Sequence, residues 1–240
     1  MIELRNVDYQ HGDDALRGQI ALPAGPGPHP AVLVMHESRG LGELVRRRAR
    51  MLAELGYVAL ASDMYGRGVD YRNEENTGSR MLTLNKEPER LRGRALAGLE
   101  ALKARPEVDG ARIGAIGFCF GGQCVLEVAR SGADVKSVVS FHGLLTTDLP
   151  AKPGAVKAKV LVLTGARDPW APWEHVERLR EELVAAGADW QITLYGEGYH
   201  AFTDSHAAEL ADIPGLRYDS LLDKLSWNSA LAMLDSTLRI

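Results

Sequence analysis

From its thirtieth residue onward, this chain repeats short apolar runs rich in branched side chains, separated by longer amphipathic stretches. The runs are Ala31–Met35, Tyr57–Ala61, Ile113–Phe118, Val135–Phe141, Lys159–Thr164 and Trp190–Tyr195. A half-exposed strand would alternate apolar and polar residues, so nearly continuous runs of this length predict strands buried on both faces of a parallel sheet. The intervening stretches predict helices over Glu43–Leu55, Glu87–Arg105, Gly121–Ser131, Glu174–Ala186 and Asp219–Leu238. Repeated strand–helix units impose right-handed crossovers. The expected class is therefore α/β, a doubly wound, mostly parallel sheet flanked by helices. An N-terminal strand region precedes the alternation and joins it through the turn-rich Ala24-Gly25-Pro26-Gly27-Pro28-His29-Pro30. A length of 240 residues without internal repeats predicts one domain spanning 1–240.

In such a sheet, functional groups gather at the carboxyl ends of the strands. The sharpest signal there is Gly117-Phe118-Cys119-Phe120-Gly121-Gly122, between a predicted strand and a predicted helix. This is the context of a nucleophile elbow, with cysteine where serine is commoner. The two flanking glycines remove Cβ atoms that would collide in so tight a turn. The helix start behind Cys119 favours thiolate over thiol. A Rossmann phosphate loop fits poorly, because Gly114, Gly117 and Gly121 lack its spacing and the aromatic rings would crowd a pyrophosphate.

A nucleophile needs a base, and the base an orienting acid, in the chain order nucleophile, acid, histidine. Asp168 lies in the turn after the run ending at Thr164, and His200 just past the run ending at Tyr195. Cys119, Asp168 and His200 are the expected catalytic set. His36 and His142 also follow strands, and Asp148 and Glu197 are rival acids. His11, His29, His175 and His206 fit no such position. Oxyanion donors are expected from the backbone N–H of Phe120 and, in the loop His36-Glu37-Ser38-Arg39-Gly40, from that of Ser38. Phe118, Phe120, Tyr65, Tyr71, Trp170, Trp173 and Phe202 fall near predicted strand ends, as a mixture of pocket and core.

Charge and composition exclude several classes. A formal net charge of −4 leaves no electrostatic footprint for nucleic acid. The basic run Arg46-Arg47-Arg48-Ala49-Arg50 reads as the solvated face of a helix. Charged residues occupy the start of the chain, and no apolar run reaches the ~20 residues that span a bilayer. A cytoplasmic protein without membrane association is expected. Cys119 and Cys124 point in different directions if a helix begins between them, so free thiols in a reducing compartment are expected. His36, Glu37, Asp63, His142 and His200 could converge on a metal, but no H-E-x-x-H or similar spacing exists, and neither metal nor cofactor is expected. A non-catalytic binding module or thiol redox sensor on the same fold is the alternative from another class.

With these residues in place, the chain resembles the dienelactone hydrolase family of the α/β-hydrolases. The carriers are His36-Glu37, Ser62-Asp63-Met64-Tyr65-Gly66, the Cys119 elbow, Phe141-His142-Gly143, the Asp168 turn and Tyr199-His200-Ala201-Phe202. The resemblance implies a fold without a large lid domain. It also implies hydrolysis of dienelactone or another small ester. A cysteine nucleophile makes a thioester acyl-enzyme the expected route, and a monomer or small homo-oligomer is expected. It implies that Glu37 contacts the resting cysteine and helps turn it into a thiolate once substrate binds. In the best-known type, arginines hold a substrate carboxylate, one of them shortly after the catalytic histidine. Here Asp204 stands in that stretch, and Arg80 is the other candidate. A general short-chain carboxylesterase that does not act on dienelactone is therefore the alternative within the class. The stretch Gly66–Leu84, with Tyr71, Arg72, Asn73 and Arg80, is expected to be a loop and the seat of specificity.

Overall fold

The computed structural model describes residues 2–209 and 213–239. Eight strands, β1 (Leu4–His11), β2 (Asp14–Ala21), β3 (His29–Met35), β4 (Val58–Ser62), β5 (Val108–Phe118), β6 (Ser137–Phe141), β7 (Lys159–Gly165) and β8 (Asp189–Tyr195), form one sheet in the order β1-β2-β4-β3-β5-β6-β7-β8. The pairings from β4 through β8 are parallel. The N-terminal strand region is an antiparallel hairpin, β1–β2, laid antiparallel against β4. The helices are α1 (Glu43–Glu54), α2 (Glu74–Asn85), α3 (Pro88–Lys103), α4 (Phe120–Arg130), α5 (Trp173–Ala185) and α6 (Ser220–Leu238). The expected doubly wound α/β sheet is thus present, and no large lid domain covers it among the described residues.

The central strands separate two apolar layers. On β3, Ala31, Leu33 and Met35 join one cluster while Val32 and Val34 join the other, as the two-residue period of a strand requires. The first cluster is completed by α3, α4 and α5 through Leu99, Val125 and Leu179. The second is completed by α1 and α6 through Val45, Leu52, Trp227 and Leu234.

Two expectations are corrected here. The basic run on α1 is not wholly solvated, for Arg48 is only 2% exposed. Its guanidinium pairs with Asp223 of α6 and lies 4.5 Å from the centre of the Trp227 ring. A guanidinium carries a flat, weakly hydrated face that stacks on indole, so arginine can cross this layer where lysine would not. Second, the Gly66–Leu84 segment is not all loop. Asn73 caps α2 by accepting the Asn76 N–H, although Gly78 and the threonines within the helix weaken its intrinsic propensity.

Candidate active site

The turn between β5 and α4 holds Cys119 at φ 52°, ψ −115°, a left-handed backbone that an L residue adopts only under constraint. The constraint is visible on both sides. A Cβ on Gly117 would fall on the Gly121 carbonyl, and one on Gly121 would fall on the Met35 carbonyl. Only glycine at both positions lets β5, α4 and β3 approach so closely. The Cys119 amide is tied to the Phe141 carbonyl at 3.0 Å, and its own carbonyl accepts the Gly122 N–H, opening α4. The half-buried thiol therefore stands at a helix N-terminus.

His200 Nε2 lies 3.0 Å from Cys119 Sγ, and His200 Nδ1 lies 2.8 Å from Asp168 Oδ2. Asp168 is buried, and its other oxygen accepts the Trp170 and Ala171 N–H groups, which fixes the carboxylate. The loop carrying His200 is pinned by two backbone bonds, His200 N–H to Gly215 and Arg217 N–H to His200. Burial alone would lower the pKa of His200. The Cys119 charge and the Asp168 hydrogen bond outweigh it and hold His200 up to about 10. The arrangement favours the protonated form of His200.

The rival residues take other positions. His36 Nε2 accepts the Met64 N–H and its Nδ1 donates to the Glu37 carbonyl, so its ring braces the loop after β3. His142 bonds Thr203 through Nε2, and burial and then the His200 charge push it well below the ordinary histidine range. Glu197 pairs with Arg167 at the surface, and Asp148 is exposed.

Cys119, His142 and His200 line a cavity of about 200 Å³, with Glu37, Ser38, Arg39 and Asp204 on one side and Leu44, Ala201, Ala207, Ile213 and Leu216 supplying apolar wall. Both Glu37 carboxylate oxygens are buried without a hydrogen-bond partner. Burial first, then the Asp204 charge, raises its pKa to about 7, against the opposing pull of Arg39. Arg39 lies 3.5 Å from Glu37 and 2.5 Å from Asp204. The Ser38 carbonyl accepts the Tyr65 hydroxyl at 2.8 Å, and Phe120, fully buried, stacks on Tyr65.

The expected pocket and specificity residues are partly misplaced by sequence reasoning. From the Gly66–Leu84 segment, Thr77 and Gly78 reach the cavity wall, whereas Tyr71, Arg72, Asn73 and Arg80 do not. Tyr71 donates to Asp63, and Arg80 is occupied by Asn76 and the Tyr65 carbonyl. Arg39, which sequence reasoning does not single out as a substrate residue, is the arginine in the wall. Among the described residues, no group of three or more His, Cys, Asp or Glu side chains is arranged to hold a metal ion, and no helix is long and apolar enough to cross a membrane.

Residues 16–238 match the model of the dienelactone hydrolase family. A protein of Methylorubrum extorquens named "Putative carboxymethylenebutenolidase" is 33% identical over 203 residues, covering 79% of this chain and 69% of that protein. The solved structure of m3DLH superposes with a TM-score of 0.91 at 38% identity over 99% of both chains. That of a dienelactone hydrolase-like promiscuous phosphotriesterase from metagenomic libraries superposes with a TM-score of 0.87 at 36% identity over 98% of both.

Proposed function

Since the chain belongs to the dienelactone hydrolase family of carboxylic ester hydrolases, we propose that it cleaves small, uncharged esters or lactones through a Cys119–His200–Asp168 triad and a thioester acyl-enzyme. The observation that carries this reading is the unbroken contact from Cys119 Sγ at the cavity wall through both His200 nitrogens to the buried Asp168.

Cys119 thiolate attacks the ester carbonyl, forming the S–C bond as the carbonyl π pair moves to oxygen. The backbone N–H groups of Phe120 and Ser38 hold that oxyanion. His200 Nε2–H gives its proton to the departing alkoxide as the C–O bond breaks, leaving a thioester. The neutral imidazole then takes a proton from water, whose oxygen attacks the thioester and expels the thiolate. Intact-mass analysis of the protein quenched within milliseconds of mixing with p-nitrophenyl butyrate tests the scheme. A butyryl increment located on the Cys119 peptide is expected; an increment elsewhere, with none on Cys119 at full turnover, sinks it.

Charge supports the choice of an uncharged acyl group. Arg39 is the one lysine or arginine among the described residues of the wall, and Asp204 and Glu37 already face it. A substrate carboxylate would meet those two acids and compete with Asp204 for the guanidinium. Asp204→Asn is expected to raise kcat/KM for an ester with a carboxylate in its acyl chain by about tenfold relative to the matching neutral ester, equivalent to ~1.4 kcal/mol. An unchanged ratio would remove Arg39 from the account of specificity.

Tyr65 touches the loop after β3 and lies outside the cavity lining. Losing its hydroxyl releases the Ser38 carbonyl and loosens the residue whose own N–H, on the preceding peptide, is the proposed oxyanion donor in the transition state. Tyr65→Phe is expected to lower kcat about tenfold with KM within about twofold, the pattern of an interaction made only in the transition state. A raised KM at unchanged kcat would instead make Tyr65 a substrate contact.

A further inference from the structure

A second cavity, of about 280 Å³, lies across Trp170 from the triad, among the end of α2, the first turns of α3, α4 and α5 and the loop after β6. The Trp170 ring lies 5.0 Å from the His200 ring on one side and lines this cavity on the other. Gln123, also in the lining, donates its backbone N–H to the Cys119 carbonyl. Trp170 and Gln123 thus tie the lining of this cavity to His200 and Cys119.

Three side-chain atoms lining this second space are buried and lack a hydrogen-bond partner: Asn85 Oδ1, Gln123 Oε1 and His175 Nδ1. They come from three different helices, so no local turn geometry accounts for them. A buried polar atom left unpaired keeps the whole penalty of losing its water, and three facing one space call for a polar occupant. The occupant carries no net charge. Glu127, the buried acid in the wall, is neutralised by Arg92 and Arg130, and the remaining charges, Asp148 and Arg178, are exposed and opposite in sign. Acceptors on the amides call for hydroxyl donors, Thr146 and Thr147 offer hydroxyls of their own, and the Trp170 indole offers a flat apolar platform. Hydroxyls around a ring that has one C–H face satisfy all of these groups, and the volume suits one such ring.

We propose that this cavity binds a neutral polyhydroxylated ring of monosaccharide size. Its use by the alcohol part of the substrate rests on the ester-hydrolase reading above; the site itself rests on the cavity. His175, which the sequence gives no role, and Asn85 are then specificity-determining residues.

The test compares 6-O-butyryl glucose with ethyl butyrate, and measures binding of methyl β-glucoside alone by saturation-transfer NMR. It uses the wild-type chain and, separately, His175→Leu and Asn85→Leu. If the ring belongs to the substrate, wild type favours the sugar ester about tenfold in kcat/KM, mainly through KM, and each variant cuts that ratio several-fold. Taking the ratio cancels any general loss of activity or folding. Methyl glucoside binding that both variants weaken, without any ester preference, supports the site and assigns it to a free ligand. The same binding result in a wild type that hydrolyses no ester overturns the hydrolase reading while the site stands. No preference and no glucoside binding mean that the cavity holds only water, and the proposal is overturned.

Discussion

Cys119→Ala is expected to lower kcat/KM for p-nitrophenyl butyrate by about 10⁴-fold, whereas Cys124→Ala stays within about threefold of wild type. The two thiols share one short segment and differ only in environment, which makes the pair a controlled comparison. Cys124 is fully buried inside α4, and burial, followed by the charge of Glu127, pushes its thiol far above the usual range. A thiol held that way is neither nucleophile nor acid at neutral pH. Cys119 stands at the start of the same helix with His200 3.0 Å away. If Cys119 is the nucleophile proposed above, removing its sulfur removes the covalent route entirely. What survives in the alanine variant is binding and oxyanion stabilisation, the residual expected of a site stripped of its nucleophile. Loss of activity in Cys124→Ala with survival in Cys119→Ala would end the thioester mechanism and return weight to a thiol sensor.

Much of this arrangement is legible in the sequence because it is written locally. A nucleophile elbow needs a strand, a reactive residue, two glycines and a helix in immediate succession, so Gly117–Gly122 announces itself. Asp168 and His200 follow from chain order and from their places just past β7 and β8. The hidden parts join residues far apart in the chain or depend on weak local signals. The Arg39–Asp204 pair links loops 165 residues apart, and neither residue has a motif that foretells the other. Arg48 lies in a run that looks solvated, and only the arrival of α6 with Asp223 and Trp227 makes it a buried cation. Helix α2 carries Gly78 and two threonines, so propensity argues against it and tertiary packing decides. His175 is unremarkable in the sequence because its interest lies in two unpaired neighbours on other helices.

Glu37→Gln is expected to cost about a hundredfold in kcat/KM while making the protein more stable above pH 7. The stability side follows from linkage. The carboxyl has an ordinary pKa of 4.5 and is held at about 7 in the native chain, principally by burial. Between those values the folded protein binds the proton that the unfolded chain has already released. Its contribution is therefore fully present below about pH 4.5, declines as pH rises towards 7, and stays lost above it. The difference amounts to about 3 kcal/mol. Glutamine cannot ionise, so the variant escapes that decline: its Tm should match wild type near pH 4 and exceed it at pH 8. The activity side follows from position. Glu37 lines the same cavity as Cys119 with both oxygens free of hydrogen bonds, and a pKa near 7 lets it take or return a proton at working pH. The contact with the resting cysteine that the resemblance implies is not made in this structure, so any such part is played after substrate enters. Measuring both quantities on one variant separates the possible roles. A variant that gains stability and keeps full activity would leave Glu37 as a bystander and His200 as the sole acceptor of the Cys119 proton. One that loses stability at pH 8 would show that Glu37 is ionised and paired with Arg39 throughout.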